Sequence, residues 1–158
     1  MNDADLGALR RLATYQFGSG AGEALFPPQE RLAIERSSSG RPRQVRAEAG
    51  RVVSLGLDGR FTLGIEGGRR LLASVSSLPY QVVVGDESEP YVLEGKNVFA
   101  KFVRSVGDDV RGGDEVVVRH ERGDVLAVGR AEVDAGAMRD FETGMAVMVR
   151  ESAERDAA

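Results

Sequence analysis

Apolar residues recur at helical spacing in only a few stretches of this chain, and at period two in most of the rest. Leu6, Leu9, Leu12 and Ala13 lie on one side of a 3.6-residue repeat between Asp5 and Tyr15. The spacing predicts an amphipathic helix with Arg10 and Arg11 opposite and Asp5 as its cap. Glycines at 18, 20 and 22 then predict a tight helix-to-helix turn that ends at Pro27-Pro28. Short alternating runs follow at Arg31 to Ser37, Gln44 to Glu48, Arg51 to Leu57 and Phe61 to Ile65, with turns at 37–40, Gly50 and Asp58-Gly59. Together they predict a three- or four-stranded antiparallel sheet. From Glu66 to Ser76, Leu71, Leu72 and Val75 share one side, so a helix should pack on that sheet, although Gly67 and Gly68 weaken its start.

The second half reads as strands. Tyr80 to Val84 is one, and Val98 to Val103 another, with Val98, Ala100 and Phe102 on one face and Asn97, Phe99, Lys101 and Val103 on the other. Gly112-Gly113 turns into the β-branched run Val116-Val117-Val118, and Gly123-Asp124 turns into Val125 to Ala131. A short helix over Asp134 to Phe141 precedes a last strand at Gly144 to Arg150. Helices segregated from antiparallel strands in both halves predict an α+β fold.

Length and charge sharpen the division. The chain has 158 residues, 42% apolar and 29% charged, enough for two small modules. Residues 1–78 carry 11 Lys+Arg against 8 Asp+Glu, a net +3; residues 79–158 carry 10 against 17, a net −7. The basic to acidic switch falls near Leu78-Pro79, which predicts domains at 1–78 and 79–151 with a disordered tail at 152–158. There is no cysteine, which excludes disulfides, thiolate zinc sites and a cysteine nucleophile. No apolar run reaches the roughly 20 residues of a membrane span, and the polar start lacks the apolar core of a signal peptide. A cytoplasmic protein is expected.

Catalytic chemistry finds little purchase. The Gly18/Gly20/Gly22 cluster follows a helix rather than a strand and no Lys-Ser/Thr comes after it, which argues against a phosphate loop. His120 is the single histidine and reads as a surface or strand-end residue, so no metal is expected. The carboxylates Asp108-Asp109 and Asp114-Glu115 sit in turns, where solvated charge is the ordinary meaning. Ser37-Ser38-Ser39 and Ser74, Ser76 and Ser77 lack the surroundings of a nucleophile and read as loop and cap residues. No catalytic residue and no cofactor are assigned.

Binding chemistry is better served. The two lysines of the chain, Lys96 and Lys101, stand in one short run with Phe99 between them, a pairing of cation and ring that suits a nucleotide. An amphipathic edge strand with solubilising lysines would look the same. Arg36, Arg41, Arg43 and Arg46 surround a Ser/Gly loop and could meet phosphates or simply decorate a solvated hairpin tip. Acidic runs in 86–94 and 108–115 would repel phosphate unless offset, or unless a partner protein supplied basic surface.

The order glycine-helix-glycine, "GDEVVV", "VLAVGRA" and a closing "G-x-A-V-x-V-R" resembles the PUA domain, a small RNA-binding pseudobarrel. Ahead of it, "YQFGSGAGEALFP", "GRPRQV", "DGRFTLGIEGGRRL" and then "EGKNVFAKFV" resemble the C-terminal region of the archaeal archaeosine tRNA-guanine transglycosylases, where a small α/β module precedes PUA. The likeness spans residues 8 to 151, and that family's catalytic barrel, paired aspartates and zinc site have no counterpart here. It implies RNA lying against Gly95, Lys96, Asn97, Phe99 and Lys101, with Arg104 and Arg150 behind. Phe99 would be either a stacking platform or core. The function implied is non-catalytic binding of RNA, above all the acceptor end of tRNA, as a stand-alone relative or separated subunit that a catalytic tRNA-modification partner would join. A protein-interaction module without RNA, and an enzyme with an unrecognised site, stay open beside it.

Overall fold

Val45, Val53, Phe61 and Leu63 face inward at alternate positions of neighbouring strands, and the helices before and after them supply the matching apolar stripes. The computed structural model describes residues 3–75 and 78–154. The chain divides into two compact units, Met1–Leu78 and Pro79–Ala158.

The first unit opens with α1 (Asp3–Phe17) and α2 (Ala21–Leu25). Leu6, Leu9, Ala13 and Phe17 make the buried stripe of α1, whereas Leu12, expected on that side, is 38% exposed. Asp5 is not the cap: it lies inside the helix and its carboxylate takes the Arg36 guanidinium. Arg10 does not point away either, because its Nε donates to Phe26 O at 2.7 Å. Strands β1 (Ala33–Arg36), β2 (Pro42–Ala47), β3 (Gly50–Leu55) and β4 (Phe61–Leu63) form an antiparallel meander in sequence order. Gln16 covers the exposed edge of β4, accepting from Phe61 N at 2.7 Å and donating to Phe61 O at 2.9 Å, as a neighbouring strand would. Helix α3 (Ile65–Ser74) packs on β3. Its two glycines are inside it rather than a faulty start: a Cβ at Gly67 would fall 2.1 Å from Val52 O, so only glycine lets the helix lie this close. Ser76 and Ser77 lie outside the described residues.

The second unit contains β5 (Gln81–Val84), α4 (Glu89–Leu93), β6 (Val98–Phe99), a 3-10 turn (Ala100–Phe102), β7 (Ser105–Val106), β8 (Glu115–His120), β9 (Val125–Ala131), α5 (Ala135–Asp140) and β10 (Met145–Ser152). The curled sheet runs β6-β10-β9-β8-β5-β7, antiparallel except for the parallel β5–β8 pair. Its two edge strands have only two residues each, which limits edge-to-edge pairing. Val82, Val84, Val116, Val118, Leu126, Ala131 and Val147 fill the core with Val92 of α4 and Met138 of α5. Short β-branched side chains suit the tight interior of a small pseudobarrel, and the fold is α+β as expected. Asp134 caps α5, its side chain accepting from Ala137 N at 2.8 Å.

Three expectations for this unit change. The strand foreseen from Val98 to Val103 stops at Phe99, because Phe99 pairs with Met145, the first residue of β10, and beyond it Gly144 turns away at φ 98°. Ala100 N still donates to Gly144 O at 2.9 Å, and from there the chain folds into the 3-10 turn. Glu115 is not solvated turn charge but the buried first residue of β8. At the other end, β10 continues through Ser152, and Ala153 N donates to Leu126 O at 2.8 Å, two residues past the boundary expected at 151.

Candidate nucleic-acid interface

The glycine of the Glu94-Gly95-Lys96 run closes α4. Gly95 N donates to Val92 O at 2.9 Å and Lys96 N to Tyr91 O at 3.0 Å, the paired bonds of a Schellman ending, and Gly95 adopts φ 90° as that ending requires. The chain therefore leaves α4 in a fixed direction. Asn97 then holds it to the last strand, its Oδ1 accepting from Val149 N at 2.9 Å. Between these anchors Lys96 rises beside Tyr91, with Nζ 5.6 Å from the ring centroid and 3.8 Å from Glu94.

Val98 and Ala100 are buried and Phe99 between them is 47% exposed, so the ring is on the surface and not in the core. The 3-10 turn places Lys101 over Phe102, Nζ 5.0 Å from the centroid, instead of beside Phe99 on a common strand face. Phe99 and Phe102 stand between two cavities. One, of about 280 Å³, is lined by Ser88, Tyr91, Val92, Lys96, Asn97 and Val98; the other, of about 350 Å³, by Lys101, Glu142, Thr143 and Gly144. Each cavity thus has one lysine and a share of the same two rings.

The remaining cations expected at this surface are committed elsewhere. Arg104 bonds Glu87 at 2.9 Å and lies 3.9 Å from Glu121. That hydrogen bond to Glu87 raises the guanidinium pKa above its ordinary value. Arg150 occupies a bulge of β10, between Val149 and Glu151, and turns its guanidinium onto Glu115, with Nη1 to Oε1 at 2.9 Å.

Several of the acids that would repel phosphate are paired too. Asp86 receives His120 Nε2 at 2.7 Å, Glu89 receives Arg122, and Asp108 receives Arg139. Arg122 is further bonded to Asp124 at 2.6 Å, the chief cause of its raised pKa, with Glu89 next.

Residues 7–77 match the profile of the patch-forming domain C2 of tRNA-guanine transglycosylase, and residues 80–152 match that of the PUA domain. The chain thus carries a C2 domain followed by a PUA domain. It is 40% identical over 148 residues, 92% of its length, to the tRNA-guanine(15) transglycosylase of Methanobrevibacter smithii, and 40% identical over 144 residues, 90% of its length, to that of Pyrococcus furiosus. It spans only 22% and 24% of those two relatives. Among solved structures, a hypothetical protein of Pyrococcus horikoshii superposes with a TM-score of 0.72 at 18% identity, over 99% of this chain and 94% of that one. A conserved PUA domain protein of Thermoplasma acidophilum gives 0.67 at 21% identity, over 99% and 93%. These two likenesses establish the fold.

Within the PUA domain, sequence reasoning missed Tyr91, 56% exposed beneath Lys96, and the Thr143-Gly144 loop. Tyr91 stands four residues before Gly95, where a helix ending on that glycine must carry it to the same rim. His120, expected at the surface or at a strand end, is a strand end that is buried, and its Nδ1 accepts from Arg122 N at 3.1 Å. Neither it nor Glu115 lines the two cavities.

In the C2 domain the four arginines of the hairpin divide. Arg36 bonds Asp5 and donates to Gly40 O at 3.0 Å. Arg41 donates to Gly56 O, and Arg46 lies 3.4 Å from Glu35. Arg43 alone of the four is exposed without a partner among the described residues.

Proposed function

We propose that this chain is a non-catalytic RNA-binding protein of the cytoplasm, connected with tRNA modification, that grips the acceptor end of tRNA through its PUA domain. It would serve as a stand-alone relative or separated subunit of a tRNA-guanine transglycosylase. One observation carries the reading: Phe99, half exposed, lies between two cavities that each present one of the chain's two lysines. Flat rings suit bases and cations suit phosphates, and the surface offers both within one short segment. Lys101 makes no ion pair among the described residues, so its charge is available.

The relatives' names support the connection with tRNA. Phosphate contact by Lys96, Lys101 and Arg43 would set affinity. Gly95 and Asn97 would shape the surface, and Arg104 and Arg150 would hold its scaffold. Division into separately folding units at Leu78-Pro79 belongs to the same reading. The second reading, a module that docks onto an RNA-modification enzyme without touching RNA, is favoured by the net −7 of residues 79–158.

Crosslinking in the native cell, with sequencing of the bound RNA and identification of bound protein, separates the two. The first reading expects tRNA acceptor ends, and recovery of protein alone would refute it. Labelled guanine offered with tRNA to the purified chain should not be incorporated.

A further inference from the structure

Helix α1 is apolar on two sides. Leu6, Leu9, Ala13 and Phe17 are buried, yet Ala8, Leu12 and Tyr15 recur on the exposed side with Arg11 among them, and Tyr15 is 93% exposed. Isolated exposed apolar side chains are ordinary, but a stripe of them is not. A helix that lays one face into a partner's groove reads as anchors at i, i+3, i+4 and i+7, the spacing of Ala8, Arg11, Leu12 and Tyr15. Arg11 makes no ion pair among the described residues.

A further apolar group stands at the same end of the C2 domain. Gln16, next to Tyr15, bonds both polar backbone groups of Phe61, and Phe61 pairs with Leu55 at the base of the β3–β4 turn. That turn is tightly held. Gly56 N donates to Arg60 O at 2.9 Å, Gly59 N to Gly56 O at 3.1 Å and Arg60 N to the Asp58 carboxylate at 3.0 Å, while Arg41 donates to Gly56 O. Its tip nevertheless presents Leu57 98% exposed. A fixed backbone reduces the entropy lost when a partner buries such a side chain.

We propose that the outer face of α1 and the Leu57 tip dock into a groove on a second polypeptide, the part of a tRNA-guanine transglycosylase that lies outside the region matched by this chain. The groove that fits is apolar with carboxylates at its rim, because Arg11 flanks the stripe and residues 1–78 carry a net +3. Aliphatic side chains on a helix face suit a protein groove better than a phosphate backbone. The choice of occupant follows from the match: α1 lies within the C2 region, and in the Methanobrevibacter smithii and Pyrococcus furiosus relatives more than three-quarters of the chain lies outside it. There the C2 domain has a large neighbour in its own chain. The inference rests on the reading of this chain as a separated subunit and adds to it the surface by which that subunit joins.

The test adds the purified full chain to an extract of the native cell, with the photo-crosslinker p-benzoylphenylalanine in place of Leu12, of Leu57 or, as a control, of Glu48 in the exposed β2–β3 turn. Adducts from the first two positions should contain transglycosylase peptides from outside the matched region, and adducts from the control should not. Adducts with RNA, with a second copy of this chain or with an unrelated protein overturn the proposal, as does the absence of any adduct. Tyr15→Glu/Leu57→Glu sets carboxylates against the acidic rim and should recover the transglycosylase at least about tenfold less well, as loss of interface anchors does. Its melting temperature and its affinity for tRNA should match those of the wild type, because both side chains are exposed and neither belongs to the RNA surface. If the variant melts early, the crosslinks decide, since each changes one exposed side chain. If wild type and variant recover the transglycosylase equally, this surface is not the docking face and the separated-subunit reading stands; if neither recovers it, both fall.

Discussion

Asn97 acts as a piece of missing strand for Val149: its carboxamide oxygen accepts the Val149 N–H at 2.9 Å, 52 residues away in sequence. The bond fixes the loop after Gly95 to β10 and with it the height of Lys96 and Phe99 above the sheet. Asn97→Ala should leave a part-buried donor unpaired and lower stability by about 1–3 kcal/mol, while Asn97→Asp keeps an acceptor and should cost less. Urea denaturation of the three proteins measures the difference. Equal midpoints would show that the bond holds nothing.

Glu115 and Arg150 make a second long connection, across β9. The carboxylate is 6% exposed and the guanidinium about a third exposed. Arg150→Met removes the cation from a buried acid and should destabilise by about 2–4 kcal/mol, whereas the Glu115→Leu/Arg150→Met pair should recover much of that. A double-mutant cycle by chemical denaturation checks this. If Arg150→Met instead leaves stability intact and weakens tRNA binding, Arg150 belongs to the RNA surface after all.

How much of this was legible in sequence differs by element. The Val116 and Val125 strands and the Asp134 cap follow from local pattern, since β-branched alternation and a capping carboxylate act within a few residues. Phe99 could not be placed that way. Its exposure depends on where β10 begins, and that is a contact 46 residues distant, between Phe99 and Met145. The fates of Arg104, Arg150 and Arg36 were hidden for the same reason, as each partner lies on another element. Tyr91 was within reach, because the spacing to Gly95 already put both on one side of a helix.

The acids around α4 give a pH dependence. Glu87 is held below its ordinary value of 4.5, first by a hydrogen bond from its own backbone amide, which outweighs an opposing desolvation, and then by Arg104. A depressed carboxyl contributes stability that is present above its unfolded value and lost as pH falls through the folded one. The melting temperature of the wild type should therefore exceed that of Glu87→Gln at neutral pH, and the gap should close only below 4.5. A gap that persists in stronger acid would contradict the assignment. As the group is exposed, a small difference is expected.

The claim with most at stake is that Lys96, Phe99 and Lys101 face RNA. Affinity for tRNA, measured at several salt concentrations with thermal melting in parallel, tests it most directly. Lys96→Glu/Lys101→Glu should weaken binding strongly with the fold intact, and neutral replacement of both should lower the slope of log affinity against log salt by about one to two. Phe99→Ala should cost about 1–3 kcal/mol of binding with little loss of stability, as expected for an exposed stacking ring. If the double Glu variant binds tRNA as the wild type does at low salt, this surface is not the RNA face and the protein-docking reading takes its place.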